Sequence, residues 1–159
     1  MLSSSGKGPT LILGIGNLLM GDEGVGIEAV RRVEEAGVPH GVECLDGGTG
    51  GFVLLGPMRS AGRIVLIDAT ADGAPPGSVR RFVPRFSRDY PRSLTAHDIG
   101  LKDLIDAFHL LGDPPEVVLL AVSVDPPLEP WLGLSPSVEA ALPEIVRMAR
   151  EEAGIGGPG

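Results

Sequence analysis

Two adjacent carboxylates, Asp22 and Glu23, stand in a glycine-rich segment that follows an apolar run at residues 11–15. Because neighbouring like charges repel each other, this placement favours a cation or a positively charged partner close to the pair. The pair therefore predicts a site for a metal ion or a basic substrate. A plainer interpretation is also open: Asp22 caps the helix that follows, and Glu23 in its first turn complements the helix dipole.

The same segment has a second possible chemistry, the binding of a dinucleotide. Gly14 and Gly16 supply half of the G-x-G-x-x-G fingerprint, and Asp46 stands where a ribose-binding acid could follow. The third glycine position is Leu19, however, and the two acids would stand at the helix N-terminus, where a pyrophosphate needs N–H groups and positive potential. We therefore expect no dinucleotide site and no organic cofactor.

Two further aspartates follow predicted strands. Asp46 comes after the strand at residues 42–45, and Asp68 comes after the apolar strand at residues 63–67. An aspartate in such a position is often an Asx turn or a cap. Because the carboxyl ends of parallel strands meet at one edge of a sheet, these acids and Glu23 are expected near one another.

His97 supplies a nitrogen ligand. It stands in the first turn of a predicted helix, on the same side as Leu101 and Leu104, so its ring is expected to face the sheet. A hydrogen-bonded core histidine is the ordinary alternative. Together with Glu23 and Asp68, His97 would form a three-ligand set with open positions, suited to zinc, nickel or another borderline divalent ion.

The chain offers no evident nucleophile. Cys44, the only cysteine, alternates with Val42 in a predicted strand, which is typical of a packing residue. No serine stands in a Gly-x-Ser-x-Gly elbow, so a Ser-His-Asp hydrolase is not expected. A single cysteine also excludes an intramolecular disulfide and a metal cluster built from cysteines.

Length and charge limit the classes of protein to consider. The chain has 159 residues and a formal net charge of −8. The length predicts one domain over residues 1–153 with a flexible tail at 154–159. The negative charge argues against nucleic acid and against an anionic membrane surface as partners. No apolar run reaches membrane-span length and the first ten residues lack a signal-peptide core, so a cytoplasmic protein is expected.

The elements that must position these residues alternate between strand-like and helix-like patterns. This order predicts an α/β fold, a three-layer α/β/α domain with a mostly parallel central sheet. The first, third and last strands are apolar throughout, as central strands are. The predicted strands are residues 10–15, 42–45, 63–67, 78–83 and 117–124.

The helices carry start and stop signals. The first is predicted over residues 22–36, and a short one after Thr49 should end or kink at Pro57. The last should begin with Ser135 as its N-cap and a proline at the next position, with a kink at Pro143.

Taken together, the residues resemble the nickel-iron hydrogenase maturation endopeptidases. The matching segments keep their order and cover nearly the whole chain. They are GIGN (14–17), DEGVG (22–26), DGGT (46–49), IDA (67–69), HDIGL (97–101), LEP (128–130) and GLSP (133–136).

The resemblance implies an endopeptidase that removes the C-terminal extension of a nickel-iron hydrogenase large subunit precursor after nickel insertion. Glu23, Asp68 and His97 match the family's metal-binding positions, and the metal would be the nickel held by the substrate, with zinc or another divalent ion as a substitute in isolation. The Asp46 loop would position the tail or offer a base. The family also implies a monomer.

The sequence leaves one alternative function open, and it departs from the family pattern. The alternative is a non-enzymatic nickel-binding maturation chaperone that uses the same ligands without hydrolysis. The departure is at residues 125–127, Asp-Pro-Pro, where many family members carry Gln-Pro or Glu-Pro.

Overall fold

The computed structural model describes residues 8–49, 52–85, 87–91, 106–110, 112 and 114–156. Its sheet has five strands in the order β2-β1-β3-β5-β4. All neighbours are parallel except β4, which pairs antiparallel with β5. The predicted strands and the mostly parallel sheet are confirmed, and the three apolar strands are the central ones. The strands are β1 (Thr10–Gly14), β2 (Val42–Asp46), β3 (Arg63–Thr70), β4 (Val79–Phe82) and β5 (Glu116–Ser123).

The described helices cover both faces of this sheet. They are α1 (Val25–Glu35), α2 (Leu55–Ser60), α3 (106–110) and α4 (Pro136–Glu152). Short 3-10 turns precede α1 at Gly21–Gly24 and α2 at Phe52–Leu54, and a third lies at Ser87–Asp89. Within the described part of the chain, no helix is long and apolar enough to cross a membrane.

The core has two halves, one on each face of the sheet. Because side chains alternate along a strand, Leu11 and Leu13 pack on one face with Met58 of α2, while Ile12 packs on the other. The second face also holds buried side chains of α1 and α4, among them Val30. Helices on both faces confirm the predicted three-layer α/β/α domain.

Two of the helices continue past an internal proline. The prediction that the helix ends at Pro57 is wrong, because α2 continues to Ser60, and the alternative of a kink at Pro57 stays a prediction. Pro57 lies in the first turn, where a backbone N–H has no partner within the helix. The start of α4 is confirmed: Ser135 is the N-cap and its side chain accepts from the Val138 N–H. Pro143 lies inside this helix, which continues past it.

Candidate functional site

Glycines bring the start of α1 onto the carboxyl edge of the sheet. A Cβ atom at Gly26 would lie 2.3 Å from the carbonyl oxygen of Ile67 and 2.5 Å from that of Ile15. A Cβ atom at Gly14 would lie 2.2 Å from the carbonyl oxygen of Gly26. Only glycine allows so close an approach of backbones. These glycines therefore let the backbones of α1, β1 and β3 pack closely.

Asp22 holds this region to the start of α4. Its carboxylate is buried and accepts two hydrogen bonds from Ser135, one from the backbone N–H at 2.6 Å and one from the hydroxyl at 2.7 Å. The prediction that Asp22 caps its own helix is wrong, since neither the Gly21–Gly24 turn nor α1 has a side-chain cap. Asp22 instead connects two segments that are distant in the sequence.

Glu23 follows Asp22 in the 3-10 turn and is half-buried. Its N–H donates to the carbonyl of Met20 at 3.1 Å, and its own carbonyl accepts from the Asn17 N–H at 3.2 Å. Successive residues of a 3-10 turn project about 120° apart. The two adjacent side chains therefore leave the turn in different directions, and that of Asp22 is directed to Ser135. The turn also contacts β3, the strand that carries Asp68.

Asp68 lies in β3, in register with Ala121 of β5, and is fully buried. Its Oδ1 accepts from the backbone N–H of Ala69 at 2.8 Å. Two more buried polar side chains follow on the paired strands, Thr70 and Ser123. The two central strands thus change from apolar to polar as they reach the carboxyl edge, which is where α/β proteins place their sites.

Asp46 ends β2 and is exposed, in register with Gly14. Its Oδ1 accepts from the Gly48 N–H at 2.9 Å, an Asx turn that shapes the following loop. Its Oδ2 lies 3.4 Å from Nη2 of Arg31 on α1. Asp46 is therefore the outermost acid of this edge, and it already has a cationic neighbour.

The strand order brings these acids to neighbouring positions, because β2, β1 and β3 are adjacent. His97 lies outside the described residues, so the structure gives no account of its contacts. Among the residues that are described, no group of three or more His, Cys, Asp or Glu side chains could hold a metal ion. The described part of the site is an acidic edge whose carboxylate oxygens suit a divalent cation or a positively charged group.

Cys44 has the environment of a packing residue. It is half-buried in β2 and packs against the core half that contains α1 and α4. Burial, with a contribution from the charge of Glu34, raises the pKa of the Cys44 thiol to about 11. The thiol is therefore protonated at neutral pH and a poor nucleophile.

A contact that the sequence analysis missed lies beside the acidic turn. Met20 and Trp131 form an isolated parallel bridge, in which the Trp131 N–H donates to the Leu19 carbonyl at 2.9 Å and the Gly21 N–H donates to the Trp131 carbonyl at 2.7 Å. The bridge joins the loop after β1 to the loop after β5. No local pattern in either loop predicts it, because its partners are distant in the sequence.

Comparisons with known proteins agree with this architecture. The HycI hydrogenase maturation protease model matches residues 27–152. The Hydrogenase 2 maturation protease of Escherichia coli (strain K12) is 34% identical over 151 residues, which are 89% of this chain and 90% of that relative. The structure of hydrogenase maturating endopeptidase HybD from E. coli has a TM-score of 0.82 at 32% identity, covering 92% of this chain and 94% of that chain. The NiFe hydrogenase maturation protease HybD from Thermococcus kodakarensis has a TM-score of 0.77 at 28% identity, covering 91% and 99%.

Proposed function

Because this chain belongs to the hydrogenase maturation protease family and is a peptidase, we propose that it removes the C-terminal extension of a nickel-iron hydrogenase large subunit precursor. The cut follows nickel insertion, and the chain acts as a monomer in the cytoplasm. The relatives and the solved structures named above support the reaction class. The order of the two events, nickel insertion before the cut, depends on how the site recognises nickel.

We infer that the nickel bound by the substrate is the recognised group, with Glu23, Asp68 and His97 as the residues that meet it. The observation that carries this inference is the position of the first two. The turn that bears Glu23 contacts β3, and Asp68 is buried on that strand. A carboxylate kept out of bulk water attracts a cation more strongly than an exposed one does. No resident metal and no organic cofactor enters this proposal, and zinc or another divalent ion is expected to substitute when the protein is studied alone.

The hydrolysis itself has two routes under this proposal. The substrate's nickel polarises the scissile carbonyl, or it activates a water molecule for attack. The protease would contribute position and charge, because Glu23 and Asp68 would hold the metal in a fixed place relative to the peptide bond. We propose that the loop after Asp46, which is shaped by its Asx turn, orients the C-terminal tail or accepts a proton.

The test is an incubation of the purified protein with large subunit precursor, in nickel-loaded and nickel-free forms, followed by gel mobility. We expect the protein to shorten only the loaded form, and we expect His97→Ala to lose this activity while it keeps its circular dichroism spectrum and melting temperature. Cleavage of the nickel-free precursor, or full activity of His97→Ala, contradicts nickel recognition. Nickel binding with no shortening of either form would favour the chaperone function instead.

A further inference from the structure

A patch of large apolar side chains lies exposed beside the acidic turn. Leu19 is 63% exposed, Trp131 is 60% exposed and Leu132 is 72% exposed. We call these three residues the Trp131 patch. Trp131 is the only tryptophan of the chain. Exposed apolar groups of this kind mark interaction sites when they cluster, and tryptophan is among the residues that most often dominate binding energy at interfaces.

The backbone holds the Trp131 patch in place. Leu19 and Trp131 belong to the two loops that the Met20–Trp131 bridge joins, with hydrogen bonds of 2.7 and 2.9 Å. Both loops are therefore ordered before any partner arrives, which lowers the entropy cost of binding. The patch needs no rearrangement to present its side chains.

A cavity beside Trp131 reaches the acidic turn at Asp22. It has a volume of about 330 Å³, and its lining includes Asp22, Asp125, Pro127, Trp131 and Ser135. Asp22 is the neighbour of Glu23 in the acidic turn. A partner seated on the patch therefore reaches the same turn that carries a proposed nickel contact.

The loops that carry the patch are acidic. Asp125 and Glu129 are exposed, and within the described part of the chain neither forms an ion pair. The sequence has no Lys or Arg between Lys7 and Arg31. It has none between Lys102 and Arg147, so both loops of the patch come from segments without these basic residues. A complementary partner surface is apolar at its centre and carries Lys or Arg at its rim.

Resting on the proposed function, we propose that the Trp131 patch is the docking surface for the hydrogenase large subunit precursor. The precursor contributes an apolar area bordered by Lys or Arg, close to the segment that is cut. A second copy of this chain would bring the same negative rim, so the charge disfavours self-association. The patch supplies affinity and orientation, while the cut is made at the neighbouring acidic edge.

The test compares matched leucine variants and the tryptophan variant with the nickel-loaded precursor as substrate. Leu132→Ala changes the patch, and Leu110→Ala changes a leucine of α3 that is 89% exposed. We expect Trp131→Ala to lower kcat/KM by at least about 10-fold and Leu132→Ala by about 3- to 10-fold, because the loss of an interface anchor acts mainly on binding. The value of kcat at saturating precursor should change less than about 2-fold, and Leu110→Ala should match the unchanged protein.

Two further measurements keep the outcome clear. The double variant Asp125→Asn, Glu129→Gln should weaken the dependence of kcat/KM on salt, because screening acts on exposed charge pairs.

Values of kcat/KM for folded Trp131→Ala and Leu132→Ala equal to that of Leu110→Ala would overturn the proposal. A wild-type dimer in sedimentation that dissociates on Trp131→Ala would also overturn it, by assigning the patch to a second copy. Failure of the wild-type protein to shorten the precursor contradicts the proposed function itself, separately from the patch.

Discussion

The two ends of the central sheet use carboxylates in opposite ways. At the amino end, Glu152 of α4 accepts hydrogen bonds from Arg63 at 2.9 Å and from Arg81 at 2.5 Å. Arg63 also pairs with Glu116 at the start of β5. At the carboxyl end, Asp22 and Asp68 accept from backbone N–H groups.

The comparison shows that the hydrogen-bond donor of a carboxylate determines how much of its charge is neutralised. A guanidinium neutralises the acid and holds it in a fixed pair, so the amino end serves stability. A backbone N–H, as at Asp22 and Asp68, orients the acid and adds no net charge. Asp46, the outermost acid, departs from this pattern because it lies near Arg31. Substitutions at the two ends should therefore affect different properties.

The largest expected effect is on activity at the carboxyl end. Glu23→Gln and Asp68→Asn should each lower cleavage of nickel-loaded precursor by at least about 100-fold, since even the outer partners of metal ligands contribute about 10- to 100-fold. The double variant should cost little more than the worse single one, because ligands that act on one ion act as a unit. The measurement is the initial rate of precursor shortening.

The control for this pair lies at the amino end. Glu116→Gln should leave the rate within about 2-fold and lower only the melting temperature, because an ion pair with Arg63 is removed far from the cut. Loss of activity in Glu116→Gln, or normal activity in Asp68→Asn, would remove the functional division between the two ends.

Asp22 should affect both the stability of the fold and the rate of cleavage. Asp22→Ala removes both acceptors of Ser135 and leaves its backbone N–H without this partner. We expect a loss of about 2 kcal/mol in the free energy of unfolding. Cleavage should also fall, by about 10-fold, because the turn that carries Glu23 is no longer held. Urea unfolding and precursor cleavage measure the two effects, and Asp22→Asn, which keeps one acceptor oxygen, should lie between wild type and Asp22→Ala in both.

Glu152 should show its effect only in stability and only above acid pH. Hydrogen bonds from Arg81, together with the charges of Arg81 and Arg63, lower the pKa of Glu152 from its ordinary value of 4.5. A carboxyl with a lower pKa in the folded state stabilises the fold above its unfolded pKa, and that contribution is lost as the pH falls through the folded pKa. Glu152→Gln should therefore cost about 1–2 kcal/mol at pH 7, and the difference from wild type should shrink below about pH 4.5.

Unfolding midpoints in urea across this pH range test the prediction for Glu152. A constant difference between Glu152→Gln and wild type at all pH values would contradict the role of its charge. Cleavage by Glu152→Gln should stay within about 2-fold of wild type at neutral pH.

The smallest effect belongs to Cys44. Cys44→Ala removes a half-buried sulfur from β2 and should cost about 1 kcal/mol or less, with precursor cleavage near the wild-type rate. Resistance of the wild-type protein to a thiol-alkylating reagent at neutral pH gives a second readout, since the pKa of the thiol is raised to about 11. Loss of cleavage in folded Cys44→Ala would revive a thiol mechanism.

The sequence predicts those parts of the molecule that depend on local patterns. The apolar strands β1, β3 and β5 are recognisable because continuous apolar runs are typical of central parallel strands. The start of α4 is recognisable because Ser135 and the following proline are a common capping pair. Both predictions depend on residues that are close together in the chain.

The wrong predictions depend on context that the local sequence lacks. Pro57 has the same fixed geometry everywhere, but its effect depends on whether it falls in the first turn of a helix. Asp22 has the sequence position of a cap, but the Ser135 N–H and hydroxyl compete for it across the fold. The site of Glu23, Asp68 and His97 stays a prediction as a whole. The fold brings the turn of Glu23 against the strand of Asp68, and His97 lies outside the described residues.

The hydrogen bonds of Asp22 also bear on the order of folding. Ser135 lies 113 residues after Asp22, so the acidic turn cannot gain this support until residue 135 has been synthesised. Closure of so long a loop follows the formation of contacts that are nearer in sequence, such as those between β1 and α1. A chain emerging from the ribosome therefore completes its central strands first, and the turn that bears Glu23 gains the support of Ser135 only after that residue has emerged.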